Sequence, residues 1–138
     1  MEKQFATAIN CIDGRVQEPV IKYIKVTHKV DFIDMVTEPG VNKVLSDNVD
    51  KSVIASIKRK VELSILRNLS RTILVAGHYD CKANPAGEEE QKRQIADAVV
   101  LIKKWSLPVE FIGGIWINEN FQAEPVNEHL RVGPMSTA

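Results

Sequence analysis

Short apolar runs of β-strand length alternate along this chain with segments whose apolar residues recur every third or fourth position, and this alternation restricts the fold more than any other feature. Residues 5–10 form the first run, stopped by the Asp13-Gly14 turn signal. The second, 30–36, ends at Glu38-Pro39-Gly40. Residues 72–76 are the most apolar and so the expected central strand. The fourth run, 109–117, is interrupted by Gly113-Gly114, a sign of a bulge or a close backbone approach.

Helical spacing fills the intervals. Val20, Ile21, Tyr23 and Ile24 crowd one side of a helix with Pro19 in its first turn. A longer helix is predicted from Asp50 or Ser52, with Ile54, Ile57, Val61, Ile65 and Leu69 facing inward. Its Lys58, Arg59, Lys60, Glu62 and Arg67 form a solvated face that needs no anionic partner. Asn84 as cap, Pro85 in the first turn and Glu88, Glu89 and Glu90 at the positive dipole end open a third helix. Ile95, Val99, Ile102 and Trp105 give it a buried stripe.

Strands separated by helices run parallel, joined by right-handed crossovers. The expected fold class is therefore α/β: a three-layer, mostly parallel sheet of about four to five strands, ordered 2-1-3-4, with helices on both faces. The 138 residues suit a single domain over 1–138, with a partly irregular tail from residue 122 and a loose end at 133–138. In that order the first and third strands are neighbours at the switch point, so Cys11 and His78 emerge side by side at the carboxyl edge.

Those two residues head the clusters that carry chemistry, Cys11-Ile12-Asp13-Gly14-Arg15 and Gly77-His78-Tyr79-Asp80-Cys81. Cys11, His78 and Cys81 are a Cys₂His set, the ligand types of a tetrahedral zinc site with one open position. His78 and Cys81, three apart, can aim at one ion across a tight turn. Zinc there would acidify a bound water toward neutral pH. Asp13 can accept a hydrogen bond from the resulting hydroxide, and Arg15 can hold Asp13 through a charge-assisted fork. Each cluster also has a plain structural explanation, a turn with a surface ion pair or a satisfied polar strand end. Two cysteines could form a disulfide, but a metal also accounts for His78. Asp13, Asp80, His28 and His129 are the remaining candidates for a fourth ligand.

Composition excludes several classes. Lys plus Arg and Asp plus Glu are both 18, and no basic stripe interleaved with aromatics suggests nucleic acid. The apolar runs are too short to span a bilayer, and the N-terminus lacks the pattern of a secretory signal. The expected location is cytoplasmic, with no membrane partner and no organic cofactor.

Cys-x-Asp-x-Arg after the first strand and His-x-x-Cys, preceded by Gly, after the third resemble the zinc and dyad motifs of the β-class carbonic anhydrases. The resemblance covers most of residues 5–120 and implies Cys11, His78 and Cys81 as zinc ligands, with Asp13 and Arg15 as the dyad that gates and orients the zinc-bound water. It also implies a homodimer or larger homo-oligomer and reversible hydration of carbon dioxide to bicarbonate by zinc-bound hydroxide. The chain departs from the family at Gly14, where Ser is usual, and at Lys82, where Gly is usual. Residues 36–40 replace the usual Arg-Asn-Ala-Gly stretch, and Lys25-Val26-Thr27-His28 offers no match for the pocket glutamine of many members. His28 is expected at a surface or helix end, with a proton-shuttle role as its alternative. Hydrolysis of carbonyl sulfide or carbon disulfide, a non-catalytic zinc-binding domain closed by Asp13, and a redox dithiol of Cys11 and Cys81 stand as competing functions.

Overall fold

The computed structural model describes residues 2–126. Its elements, in chain order, are β1 (Phe5–Asn10), α1 (Gly14–His28), β2 (Phe32–Thr37), α2 (Val41–Asp47), α3 (Lys51–Arg67), β3 (Thr72–His78), α4 (Glu88–Lys103), β4 (Phe111–Ile117) and β5 (Ala123–Val126). The sheet order is β2-β1-β3-β4-β5. The first four strands are parallel and β5 is antiparallel to β4. This is the expected α/β sheet of four to five strands in the expected order 2-1-3-4, with β5 added beside β4. Because the chain leaves β1 in one direction toward β2 and returns to place β3 on the other side, the carboxyl ends of β1 and β3 open a crevice between diverging connections.

Alternation along the strands divides the core in two. Ile9, Ile73 and Val75 point to a layer built with α2, α3 and α4, while Ala6, Ala8, Leu74 and Ala76 point to α1. Helix α1 meets the sheet through Val16, Val20 and Ile24, spaced by four and each at most 1 % exposed. Each such side chain contributes about 1.5–3 kcal/mol on burial. Gly114 marks the close approach that the glycine doublet suggested, since a Cβ there would fall 2.3 Å from Ile95 Cγ2. No helix among the described residues is long and apolar enough to cross a membrane.

Several boundaries differ from expectation for local reasons. Helix α1 starts at Gly14, well before Pro19, because the Asp13 side chain accepts the Arg15 N–H at 2.9 Å and caps the helix. Helix α4 starts at Glu88 behind Gly87, so Asn84 is not its cap. Asn84 is instead fully buried and donates to Gln94 Oε1 at 2.8 Å. Helix α3 ends at Arg67, which leaves Leu69 beyond it with a positive φ and 61 % exposed rather than in the core stripe. The helix α2 and the strand β5 had no counterpart in the sequence pattern. The expected loose end at 133–138, and His129, lie outside the described residues.

Candidate metal centre

Cys11 directly follows β1, and His78 is the last residue of β3. After His78 the chain turns sharply through Asp80, whose φ of 57° is left-handed, a conformation that Asp tolerates better than most residues. The turn brings Cys81 back toward His78. The ligand atoms of Cys11, His78 and Cys81 lie within 4.8 Å of one another, and all three residues are at most 5 % exposed.

The two sulfurs are 3.9 Å apart and both thiols are free. That separation is far wider than a disulfide bond of about 2.05 Å. It is close to the spacing of about 3.8 Å that two sulfurs take at neighbouring corners of a tetrahedron around zinc, given Zn–S of about 2.3 Å. His78 Nδ1 lies 2.8 Å from the Tyr79 carbonyl oxygen. A carbonyl only accepts, so Nδ1 carries the proton and Nε2 presents a lone pair. That Nε2 is buried without any hydrogen-bond partner among the described residues. A buried polar atom left without a partner costs about 1–3 kcal/mol. An imidazole with one orphaned nitrogen, clustered with two free thiols, is the donor set that zinc takes, so the residues present fit the ion.

Burial pushes the His78 imidazole toward the neutral form that ligates metal. It also raises the Cys81 thiol, with the neighbouring Cys11 adding to the effect. Metal binding would therefore displace a proton from Cys81.

Asp13 stands beside the cluster but outside it, because Arg15 holds both of its oxygens. Arg15 Nε donates to Oδ1 at 3.0 Å, and its NH2 nitrogen donates to Oδ2 at 2.7 Å. These bonds, led by the side-chain fork, lower the Asp13 pKa to about 2. Arg15 reaches further, donating to Asp80 Oδ2 at 3.2 Å and to the Asp80 carbonyl at 3.0 Å. Its guanidinium also lies 5.1 Å from the centroid of the Phe121 ring. Lys82 first, and then Arg15, hold the Asp80 carboxyl below its ordinary range.

The structure thus brings together every residue that the two motifs singled out, and it separates His28 from them. His28 ends α1 at the opposite edge of the sheet, its ring 4.9 Å from that of Phe111, where β4 begins. Sequence reasoning missed the amides that shape the first ligand loop. Asn10 Nδ2 donates to the Cys11 carbonyl at 2.9 Å and to Gln17 Oε1 at 3.0 Å. Gln17 Nε2 donates in turn to the carbonyls of Cys11 and Asp13 at 2.9 and 2.8 Å. A polar residue closing the otherwise apolar 5–10 run was the available signal for Asn10.

Comparison with known proteins gives one family. The family model described as "putative carbonic anhydrase" matches residues 1–127. No curated protein matches the chain. Among solved structures, one of two tetrameric β-carbonic anhydrases from the filamentous ascomycete Sordaria macrospora is similar, with a TM-score of 0.45 and 12 % identity over 91 % of this chain and 82 % of that one.

Proposed function

The chain belongs to the "putative carbonic anhydrase" family, and from that premise we propose that it is a zinc-dependent lyase that reversibly hydrates carbon dioxide to bicarbonate. We assign Cys11, His78 and Cys81 as the metal ligands, with Asp13 and Arg15 as the pair that orients the nucleophile. Zinc supplies the Lewis acidity that brings a water's pKa toward neutrality. The carrying observation is the buried Nε2 of His78, without a partner and clustered with two free thiols, while Asp13 is held outside that cluster.

Each remaining task falls to a residue of the chain. His78 offers Nε2 because the Tyr79 carbonyl keeps the proton on Nδ1. Asp13, ionised at any working pH, can only accept hydrogen bonds. It therefore accepts from the nucleophilic oxygen and turns that oxygen's lone pair to the carbon of carbon dioxide. Arg15 keeps the carboxylate from swinging into the cluster. The proposal includes a single zinc domain, as the chain length suggests, a cytoplasmic location, as the short apolar runs suggest, and a homo-oligomeric assembly, as the sequence resemblance implies.

Stopped-flow hydration on protein of known zinc content tests it. Hydration that rises from mildly acidic to alkaline pH, and disappears on chelation, is the expected result. One zinc per chain with no hydration at any pH would overturn the lyase and leave hydrolysis of another electrophile or a non-catalytic site.

A further inference from the structure

Four side-chain amides, those of Asn42, Asn84, Gln91 and Gln94, are buried together behind the second ligand loop, none more than 6 % exposed. Burying an amide without partners is unfavourable by about 1–3 kcal/mol. These four bond to one another and to main chain, and of their side-chain atoms only Asn84 Oδ1 is buried and unpartnered among the described residues. Gln94 Oε1 accepts from Asn42 Nδ2 at 3.1 Å and from Asn84 Nδ2 at 2.8 Å. Gln91 does something different. Its Oε1 accepts the main-chain N–H of His78 at 3.2 Å, and its Nε2 donates to the main-chain carbonyl of the same residue at 3.0 Å.

The reason lies in the sheet. The β1–β3 register ends at Val75, so at His78 there is no β1 partner for these main-chain groups. One glutamine amide on α4 takes both, in the way a neighbouring strand's peptide would. Its orientation is fixed from the far side, where Oε1 also accepts from Asn42 Nδ2 at 3.2 Å and Nε2 also donates to the Ala86 carbonyl at 3.0 Å. Gly77 makes room for this contact, since a Cβ there would lie 2.9 Å from Gln91 Oε1. On the other side of the turn, the Tyr79 N–H donates to the Ile117 carbonyl at 2.9 Å. Tyr79, whose carbonyl sets the imidazole tautomer, is thus anchored to β4 through its N–H, and the residue bearing the imidazole is anchored to α4.

We infer that Gln91 is a positioning residue for the metal centre, holding the His78 main chain so that its imidazole stays clustered with the two thiols. The inference rests on the proposed metal reading. Removing a group that hydrogen-bonds the ring of a metal-ligating histidine weakens metal affinity about 10–100-fold, and Gln91→Met, which frees only the main chain behind that ring, is expected to act at the low end, about 10-fold. Gln94→Met removes the neighbouring amide without touching His78. It is the control for general loosening of the network.

The test measures zinc affinity by chelator competition and records the visible spectrum of the cobalt(II)-loaded protein, alongside far-UV circular dichroism of each metal-free variant. Weakened zinc binding and an altered cobalt spectrum in Gln91→Met, with both near wild type in Gln94→Met, support the inference. Wild-type values in a folded Gln91→Met overturn it, as do equal changes in both variants. Should Gln91→Met fail to fold, Gln91→Glu keeps the length and the oxygen that accepts from His78. It must alter the cobalt spectrum, and wild-type behaviour overturns the inference. A wild-type protein that binds neither zinc nor cobalt overturns the metal reading itself and this inference with it.

Discussion

Replacing Asp13 separates two tasks that one carboxylate performs. Its Oδ1 accepts the Arg15 N–H and caps α1, while its two oxygens hold the Arg15 guanidinium. Asp13→Ala removes both. A lost cap destabilises by about 1 kcal/mol, and a largely exposed ion pair adds about 0.2–1 kcal/mol. The sum is about 1–2 kcal/mol, a fall in melting temperature of about 4–8 °C for a chain of this length. Asp13→Asn keeps an oxygen for the cap, so its loss is confined to the pair and stays below about 1 kcal/mol. The amide nitrogen, however, faces the donors of Arg15 and cannot complete the fork. Hydration by zinc-loaded Asp13→Asn is expected to fall about 10²-fold, the scale on which a misoriented reacting atom slows a reaction. Thermal melts of the metal-free proteins and stopped-flow hydration of the zinc-loaded ones give the two readouts. Equal destabilisation by Ala and Asn would refute the capping role, and wild-type hydration in Asp13→Asn would refute the orienting role.

Acid titration gives a second check on the same contact. The folded pKa of Asp13 is depressed to about 2 from 3.8, so its stabilisation is present above 3.8 and lost as pH falls through about 2. The melting gap between wild type and Asp13→Asn should close over that range, and a gap that persists at its acid end would contradict the ion-pair account. His78→Ala should lower zinc stoichiometry well below that of wild type, measured by elemental analysis after dialysis, with far-UV dichroism unchanged; full zinc retention would remove His78 from the ligand set. Gly114→Ala places a Cβ 2.3 Å from Ile95 Cγ2 and 2.8 Å from the Val126 carbonyl. Such overpacking should cost about 1–3 kcal/mol in urea unfolding, and an unchanged midpoint would refute the tight α4–β4 packing.

The parallel order was legible because three strands are nearly continuous apolar runs, and a run buried on both faces announces itself by composition. The Cys11, His78 and Cys81 cluster was legible because the parallel order sets the ends of β1 and β3 side by side, and the turn after His78 returns Cys81 to it. Helix α2 was not, since seven residues complete barely two turns and show no period. Strand β5 was not, being four residues long and broken by Pro125. Asn84-Pro85 misled because the amide that caps a helix is the same group that satisfies a buried network. Gln91 carried a signal that periodicity alone overlooks. It lies four residues before Ile95 on the buried stripe of α4, where a polar side chain requires a buried partner.

Arg15 has a consequence for how the whole carboxyl edge moves. Its one guanidinium touches the loop after β1 at Asp13, the loop after β3 at Asp80, and the segment after β4 at Phe121. Three connections far apart in sequence are therefore laced by a single side chain, and none can drift outward without slackening its hold on the other two. The lace is planar and many-pronged, which lysine cannot reproduce. It is also 43 % exposed, so dissolved ions compete with it directly. The three connections at the mouth of this protein thus share one exposed charged tie, and their hold on one another is expected to weaken as ionic strength rises.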